Sequence, residues 1–117
     1  MICWSVWGSI MFSSQINFKF PSISEAKIAA KLLTDMLCGN ITTYDFHGLH
    51  ISVSKEGDLA VSARFESVET LQKFEKAFPE LMTDIKSSFV YTQKKFTGVC
   101  VYAFEREAMA AAIPNDN

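Results

Sequence analysis

Cysteine is scarce in this sequence, and its spacing excludes several kinds of site. The 117-residue chain contains three cysteines, Cys3, Cys38 and Cys100. No Cys-x-x-Cys pair is present, which argues against a zinc ribbon and against a thioredoxin-type redox pair. An odd number of widely separated thiols is typical of a reducing compartment. We therefore expect a cytoplasmic protein whose thiols act as small hydrophobic side chains.

Glycine is also scarce, and with it the loops that bind phosphate. The five glycines form neither a Gly-rich phosphate loop nor a Gly-x-Ser-x-Gly nucleophile turn. The serines lie in expected strands and helix caps, where hydroxyl groups have structural uses. The sequence therefore indicates no cofactor and favours a non-enzymatic protein.

An excess of basic charge is missing as well. Eleven Lys and Arg residues face thirteen Asp and Glu residues, which gives a net charge of -2. Nucleic-acid binding requires clustered basic side chains that contact phosphates. Since the only adjacent basic pair is Lys94-Lys95, we expect no nucleic-acid partner.

The N-terminal apolar stretch, residues 1–12, does not have the pattern of a membrane segment. Ser and Gly interrupt it, it is too short to span a bilayer, and it lacks the basic n-region of a signal peptide. From Trp4 to Phe20, most of the large apolar residues fall on even positions, which predicts strand. We expect no membrane partner. Whether translation starts at Met1 or Met11 stays open.

The chain does contain an internal repeat. Residue n aligns with residue n+45, and the matched residues are chemically alike: Ile16 with Val61, Lys19 with Arg64, Phe20 with Phe65 and Ser22 with Ser67. Each copy reads as an alternating strand, a serine helix start and an amphipathic helix. We predict a single domain over 1–117, with repeat units 14–57 and 59–105 and a flexible tail at 113–117.

The remaining elements follow from alternation and turn residues. Residues 43–54 and 59–65 are predicted to form a hairpin, with a turn at 55–58. The second helix begins at Ser67, and Pro79 is expected to kink it or to start a fresh helical turn. A last hairpin is predicted from residues 87–93 and 97–105, followed by a short helix at 105–112.

The expected fold is an α+β two-layer sandwich. Duplicated strand-helix-strand-strand units would form one antiparallel sheet, because neither unit can bury its apolar sheet face alone, and both helices would lie on one face. This order of elements resembles that of gyrase-inhibitor-like effector-binding domains and of ferredoxin-like folds. The resemblance is one of topology, and it implies no functional residue.

Such a sandwich leaves one sheet face open, and strand parity predicts which side chains lie there. The expected polar members include Lys19, His50 and Arg64. The last strand is apolar on both sides, which indicates that a tail, a partner or a groove covers it. Aromatic groove walls are predicted from Tyr91, Tyr102 and Phe104, with Lys19 and Arg64 as charge anchors for a ligand.

Asp45 and His47 are the residues that most suggest a catalytic role. They share a face of an extended strand and are a possible acid-base pair. His47 and His50 have an odd separation and would project to opposite faces, and no third ligand is nearby in sequence, so no metal site is expected.

Three functions stay open from the sequence. The first is a non-enzymatic module that binds a small molecule or a protein through its open sheet face or groove. It would be a homodimer in which Tyr102, Phe104 and the N-terminal Trp4 and Trp7 pack together. The second is a small enzyme that uses Asp45 and His47. The third is a protein-inhibiting or antitoxin-like module whose contact is the aromatic N-terminus.

Overall fold

The computed structural model describes residues 11–104, and it contains four strands and four helices in that range. Their order is β1 (Met11–Lys19), α1 (Ile23–Cys38), α2 (Ile41–Tyr44), β2 (Gly48–Val53), β3 (Asp58–Phe65), α3 (Val68–Leu81), α4 (Thr83–Ser88) and β4 (Thr92–Cys100). The predictions for Trp4 and Trp7, for the helix at 105–112 and for the tail at 113–117 concern residues outside this range.

The four strands form one antiparallel sheet in the order β2-β3-β1-β4. Buried side chains alternate along the central strands: Ile16 and Phe18 on β1 and Val61 and Ala63 on β3 are all buried. Helix α1 packs on β2 and β3, and α3 packs on β1 and β3, over this buried face. The predicted two-layer α+β sandwich is therefore confirmed.

Both long helices begin at a serine, as the sequence predicts. The Ser22 side chain accepts a hydrogen bond from the backbone N–H of Glu25, and the Ser67 side chain accepts one from that of Thr70. Each hydroxyl satisfies a backbone donor that the first helical turn leaves without a partner. The caps fix the residue at which each helix begins after its strand.

The layer between helices and sheet is filled mainly by aromatic rings. The ring of Phe74 on α3 lies 5.6 Å from that of Phe65 on β3 and 5.4 Å from that of Phe78. Tyr44 and Phe46, before β2, lie 5.7 and 5.2 Å from Phe74 in edge-to-face geometry. Such offset and edge contacts are the favoured packing of aromatic side chains.

Two predicted elements are wrong, and the kink expected at Pro79 stays a prediction. The strand predicted over 43–54 is confined to Gly48–Val53, because α2 precedes it and Asp45 ends α2 in the left-handed region at φ 54°. The predicted last hairpin is replaced by α4 and by the single strand β4, since Lys94 and Lys95 lie in the middle of a paired strand. Helix α3 continues through Pro79, and the new helix α4 starts only at Thr83.

Equivalent elements of the two chain halves are evenly spaced. The capping serines and the helix starts are 45 residues apart, and Ile16 on β1 pairs directly with Val61 on β3, its counterpart at the same offset. An approximate twofold axis would then pass through this pair. These spacings support the predicted repeat of 14–57 and 59–105, which stays a prediction.

Candidate functional site

The face of the sheet opposite the helices carries short polar side chains in rows across the strands. One row contains His50, Ser62, Gln15 and Phe96 as successive cross-strand partners, and the next contains Gly48, Arg64, Ser13 and Gly98. Partners in a ladder share a face, and the even residues of β1 face the helices, so both rows lie on the open face.

Arg64 lies flat across the neighbouring edge strand. A Cβ atom built at Gly48 would be only 2.6 Å from Nη2 of Arg64, so the guanidinium occupies the space that a side chain on β2 would fill. His50, exposed on the same strand, is in the adjacent row. Arg64 therefore brings its charge to the β2 side of the open face, and its position depends on glycine at 48.

Phe96 occupies a similar position on the opposite edge strand. Its ring lies over Gly98, where a Cβ atom would be 2.9 Å from the ring carbon Cζ. The floor between Phe96 and Arg64 consists of Ser13 and Gln15 on β1. Because the guanidinium lies over Gly48 on β2, three strand spacings, or about 14 Å, separate it from β4. We call this surface the open-face trough; it has a polar floor, a cationic side and an aromatic side.

The two predicted charge anchors do not meet in this trough. Lys19 is at the far end of β1, six residues from Ser13, which corresponds to about 20 Å along a strand. Its Nζ lies 3.2 Å from the Asp58 carboxylate and donates to the backbone oxygen of Glu56, also at 3.2 Å. The predicted single groove with both Lys19 and Arg64 is therefore divided into two separate regions.

Tyr91, unlike Lys19 and Arg64, is not on the open face. Its ring packs on Phe18 and Phe20, with centroids 5.5 and 5.3 Å away, and Phe18 faces the helices. Tyr91 precedes β4, so strand parity does not fix its direction. The prediction that Tyr91 forms a wall of an open-face groove is wrong in location.

Tyr102 and Phe104 follow the end of β4 without regular secondary structure. They are 59% and 69% exposed, and Val101 between β4 and Tyr102 is 90% exposed. The strand predicted over 97–105 therefore ends at Cys100, and the exposed apolar side chains of residues 101–104 lie beyond it. This apolar surface continues the strand that carries Phe96 and lies at the end opposite Lys19.

Asp45 and His47 are not paired in the structure. Nδ1 of His47 lies 3.2 Å from the carboxylate of Glu66, whereas Asp45 ends α2 in a left-handed conformation. Within residues 11–104, no hydrogen bond or ion pair joins Asp45 and His47. The left-handed residue breaks the strand in which the two would share a face, so the geometry does not favour the predicted acid-base pair.

Sequence reasoning missed a polar network on the helix-covered face. Glu75 of α3 accepts hydrogen bonds from the hydroxyl groups of Ser14 at 2.7 Å and Thr97 at 2.6 Å, and Nζ of Lys95 lies 3.5 Å away. Burial by itself would raise the pKa of Glu75. The hydrogen bonds from Thr97 and Ser14 and the charge of Lys95 outweigh burial and hold the pKa below its ordinary value.

A signal for this network is present in the sequence. Ser14 is at an even position of β1, and the other even positions of this strand carry large apolar residues. Glu75 is next to the apolar stripe of α3. A hydroxyl and a carboxylate on two faces that pack together predict a buried hydrogen bond. The hydrogen bonds and the ion pair of this network link α3 to the edge strand β4, and they do not lie on the open face.

Two absences concern the described residues alone. Across 11–104, no three His, Cys, Asp or Glu side chains come together in a way that could hold a metal ion. In the same part of the chain, each helix is too short or too polar to cross a membrane.

Comparison with known proteins identifies the fold. No protein-family model matches this chain, and no curated protein matches it. A solved dimeric ferredoxin-like protein from an uncultured marine organism is similar with a TM-score of 0.66 and 18% identity, over 84% of this chain and 94% of that one. A second protein described in the same words matches with a TM-score of 0.57 and 10% identity, over 83% and 99% of the two chains.

A protein of Shewanella oneidensis matches more weakly, with a TM-score of 0.51 and 9% identity over 78% of this chain and 93% of its own. At these identities the comparisons show the fold alone. The chain therefore has a ferredoxin-like α+β fold, in agreement with the predicted topology.

Proposed function

We propose that this protein is a non-enzymatic, cytoplasmic binding module that acts as a homodimer and recognises a small molecule or a protein through the open face of its sheet. The observation that carries the proposal is the open-face trough, where the Arg64 guanidinium and the Phe96 ring lie on either side of a polar floor. A few polar groups beside an aromatic surface are the usual composition of a binding site. The free thiols of Cys38 and Cys100 fit a reducing compartment.

The homodimer part of the proposal rests on the apolar surface at 101–104. Soluble monomers rarely expose contiguous apolar patches of large side chains, and Val101, Tyr102 and Phe104 are each more than half exposed. Two proteins of the same fold are described as dimeric. A second copy that covers this surface would bury the aromatic side chains of both chains at once.

Sedimentation velocity over a dilution series tests the dimer. We expect a dimer for the wild-type protein and a shift to monomer in Tyr102→Ser/Phe104→Ser. Val90→Ser is the matched control, because Val90 is 79% exposed and precedes the opposite end of β4. A wild-type protein that is monomeric at all concentrations would refute the dimer, and a double variant that dimerises like wild type would refute this interface.

A thermal-shift screen tests the trough. We expect a ligand whose affinity falls about tenfold or more in Arg64→Ala, since a hydrogen bond to a charged group contributes about 1.5–3 kcal/mol. Lys27→Ala, an exposed cation on α1, should bind the same ligand as wild type does. A ligand mapped to the trough by NMR that binds Arg64→Ala unchanged would remove Arg64 from the proposal.

A further inference from the structure

A groove in the helix layer lies between α1 and the segment that joins α3 to α4. It has a volume of about 360 Å³, which is within the range of small-molecule sites. Its two walls are formed by Leu32, Asp35 and Met36 on one side and by Leu81, Asp84 and Ile85 on the other. We call it the interhelix groove. It shares no residue with the open-face trough, which is on the opposite side of the sheet.

The two walls of the groove have nearly the same sequence. Residues 32–36 read Leu-Leu-Thr-Asp-Met, and residues 81–85 read Leu-Met-Thr-Asp-Ile. The first, fourth and fifth residues of each segment line the groove. On α1 this spacing of three and four residues places the side chains on one helix face. The two segments are 49 residues apart, so the predicted repeat, with its offset of 45, does not account for their likeness.

The inner surface of the groove is apolar. Ile85 is buried, and Met36 and Leu81 are half-buried. Leu32 is 45% exposed, although it is a large apolar side chain in the middle of α1. A ligand with an apolar body that covers Leu32 would remove this surface from water, which is favourable.

The charge at the groove has one sign. Both ionisable side chains that line it are carboxylates, and none of its described lining residues is Lys or Arg. Asp35 lies 3.7 Å from Nζ of Lys31 on its own helix, in an exposed pair of the kind that contributes little. Within residues 11–104, the Asp84 carboxylate has no ion pair. The groove therefore favours a positively charged ligand and disfavours an anion.

We propose that the interhelix groove binds a small organic cation that has one protonated amine attached to a compact apolar body, such as an arylalkylamine. An ammonium group has three donors and can serve the carboxylates of Asp35 and Asp84 together. The apolar body of the ligand covers Leu32 and Leu81. The site does not depend on Arg64 or on the proposed function.

Titration of the ¹⁵N-labelled protein with 2-phenylethylamine at low salt, followed by NMR, tests this site. We expect saturable shifts concentrated at residues 32–36 and 81–85. The neutral 2-phenylethanol and the anionic 3-phenylpropanoate have nearly the same shape as the amine. The amine should bind about threefold or more tightly than the alcohol, and the alcohol more tightly than the anion. High salt should reduce the preference for the amine.

Two pairs of variants test the charge and the apolar surface separately. Asp84→Asn keeps the shape of the side chain, so it should weaken the amine about twofold or more and leave the alcohol unchanged. Glu56→Gln, in the turn between β2 and β3, makes the same change of net charge on an exposed side chain and should change neither affinity. Leu32→Ser should weaken both the amine and the alcohol. Ile28→Ser is its matched control, because Ile28 is 55% exposed on the same helix and is not a wall of the groove.

Asp84 also lies in the first turn of α4, where a carboxylate stabilises a helix end. If that were its only role, Asp84→Asn would lower the free energy of unfolding in urea and bind the amine as wild type does, and this result would overturn the inference. Equal affinities for amine and alcohol at low salt, or no saturable shifts at 32–36 and 81–85, would also overturn it. Binding of the amine that persists in Arg64→Ala and falls in Asp84→Asn supports the interhelix groove whether or not the open-face trough binds anything.

Discussion

The network around Glu75 gives a quantitative test of how α3 is held on the sheet. Glu75→Ala removes the acceptor of two hydroxyl groups and leaves that of Ser14, a residue only 1% exposed, without a partner. A hydrogen bond to a charged group contributes about 1.5–3 kcal/mol, and an unsatisfied buried donor costs about 1–3 kcal/mol. Part of this loss is offset because the variant no longer desolvates a carboxylate. We expect the free energy of unfolding to fall by about 2–4 kcal/mol.

The other half of the molecule suggests a matched rescue. Under the predicted repeat, the counterparts of Ser14, Glu75 and Thr97 are apolar residues, namely Leu59, Ala30 and Val53. Leu59 pairs with Val53 just as Ser14 pairs with Thr97. The triple variant Ser14→Leu/Glu75→Ala/Thr97→Val should therefore recover most of the loss and come within about 1 kcal/mol of wild type, since apolar replacements of buried polar networks are often neutral or stabilising.

The pH dependence of unfolding provides a second readout of the same network. The folded-state pKa of Glu75 is lower than its ordinary value of 4.5. The stabilisation that ionised Glu75 gives the folded state is therefore fully present above the unfolded-state pKa, and it is lost as the pH falls through the lowered folded-state pKa. The stability difference between wild type and Glu75→Gln should shrink as the pH is lowered through this window.

Urea unfolding followed by circular dichroism measures these differences, with every variant at the same protein concentration. A Glu75→Ala variant within about 0.5 kcal/mol of wild type would refute the stabilising role of the network. A triple variant as unstable as Glu75→Ala alone would refute the equivalence of the two halves in packing.

Four other substitutions test local features. Gly57→Ala should lower the free energy of unfolding, measured in urea, by about 1–3 kcal/mol. The reason is that Gly57 has φ +94° and a Cβ atom there would be 2.8 Å from the Phe20 carbonyl oxygen. No measurable loss of stability would show that this turn relaxes freely. Ser22→Ala and Ser67→Ala should each cost about 1 kcal/mol and should add in the double variant, since the caps are on different helices. Gly48→Ala should displace the Arg64 guanidinium, which a crystal structure of the variant would show. The free energy of unfolding should change by less than about 1 kcal/mol, because the clash is with the end of a flexible side chain. An Arg64 side chain that has not moved would contradict this prediction.

The sequence predicted the central strands and helix starts because strong local signals agree there with the tertiary structure. The alternation in β1 and β3 corresponds to one buried and one open face, and Ser22 and Ser67 act as caps. The hairpin predicted from residues 87–93 and 97–105 is wrong because Lys94 and Lys95, which fall between these ranges, lie within the paired strand β4. β4 is an edge strand, where charged residues are tolerated, and Lys95 has an ion-pair partner in Glu75.

The candidate site was predictable only in part. Parity places His50 and Arg64 on the open face correctly, but it cannot show that Lys19 and Arg64 are at opposite ends of that face. This separation depends on the antiparallel pairing of β1 with β3. The direction of Tyr91 depends on its contacts with Phe18 and Phe20, two residues far away in sequence. Tyr102 and Phe104 are exposed beyond the end of β4, and their role as groove walls stays a prediction.

The strand order also constrains how this chain can be synthesised and folded. β1 is hydrogen-bonded on one side to β3 and on the other to β4, which ends at Cys100. β1 and β2 do not touch, because β3 lies between them. A chain synthesised only through residue 57 thus has two strands that are not neighbours in the folded sheet, and β1 obtains β4 as a neighbour only after residue 100 has been made. β3 can pair with both β1 and β2 once residue 65 has been made, whereas β4 joins the sheet only after residue 100, through contacts that are far apart in sequence.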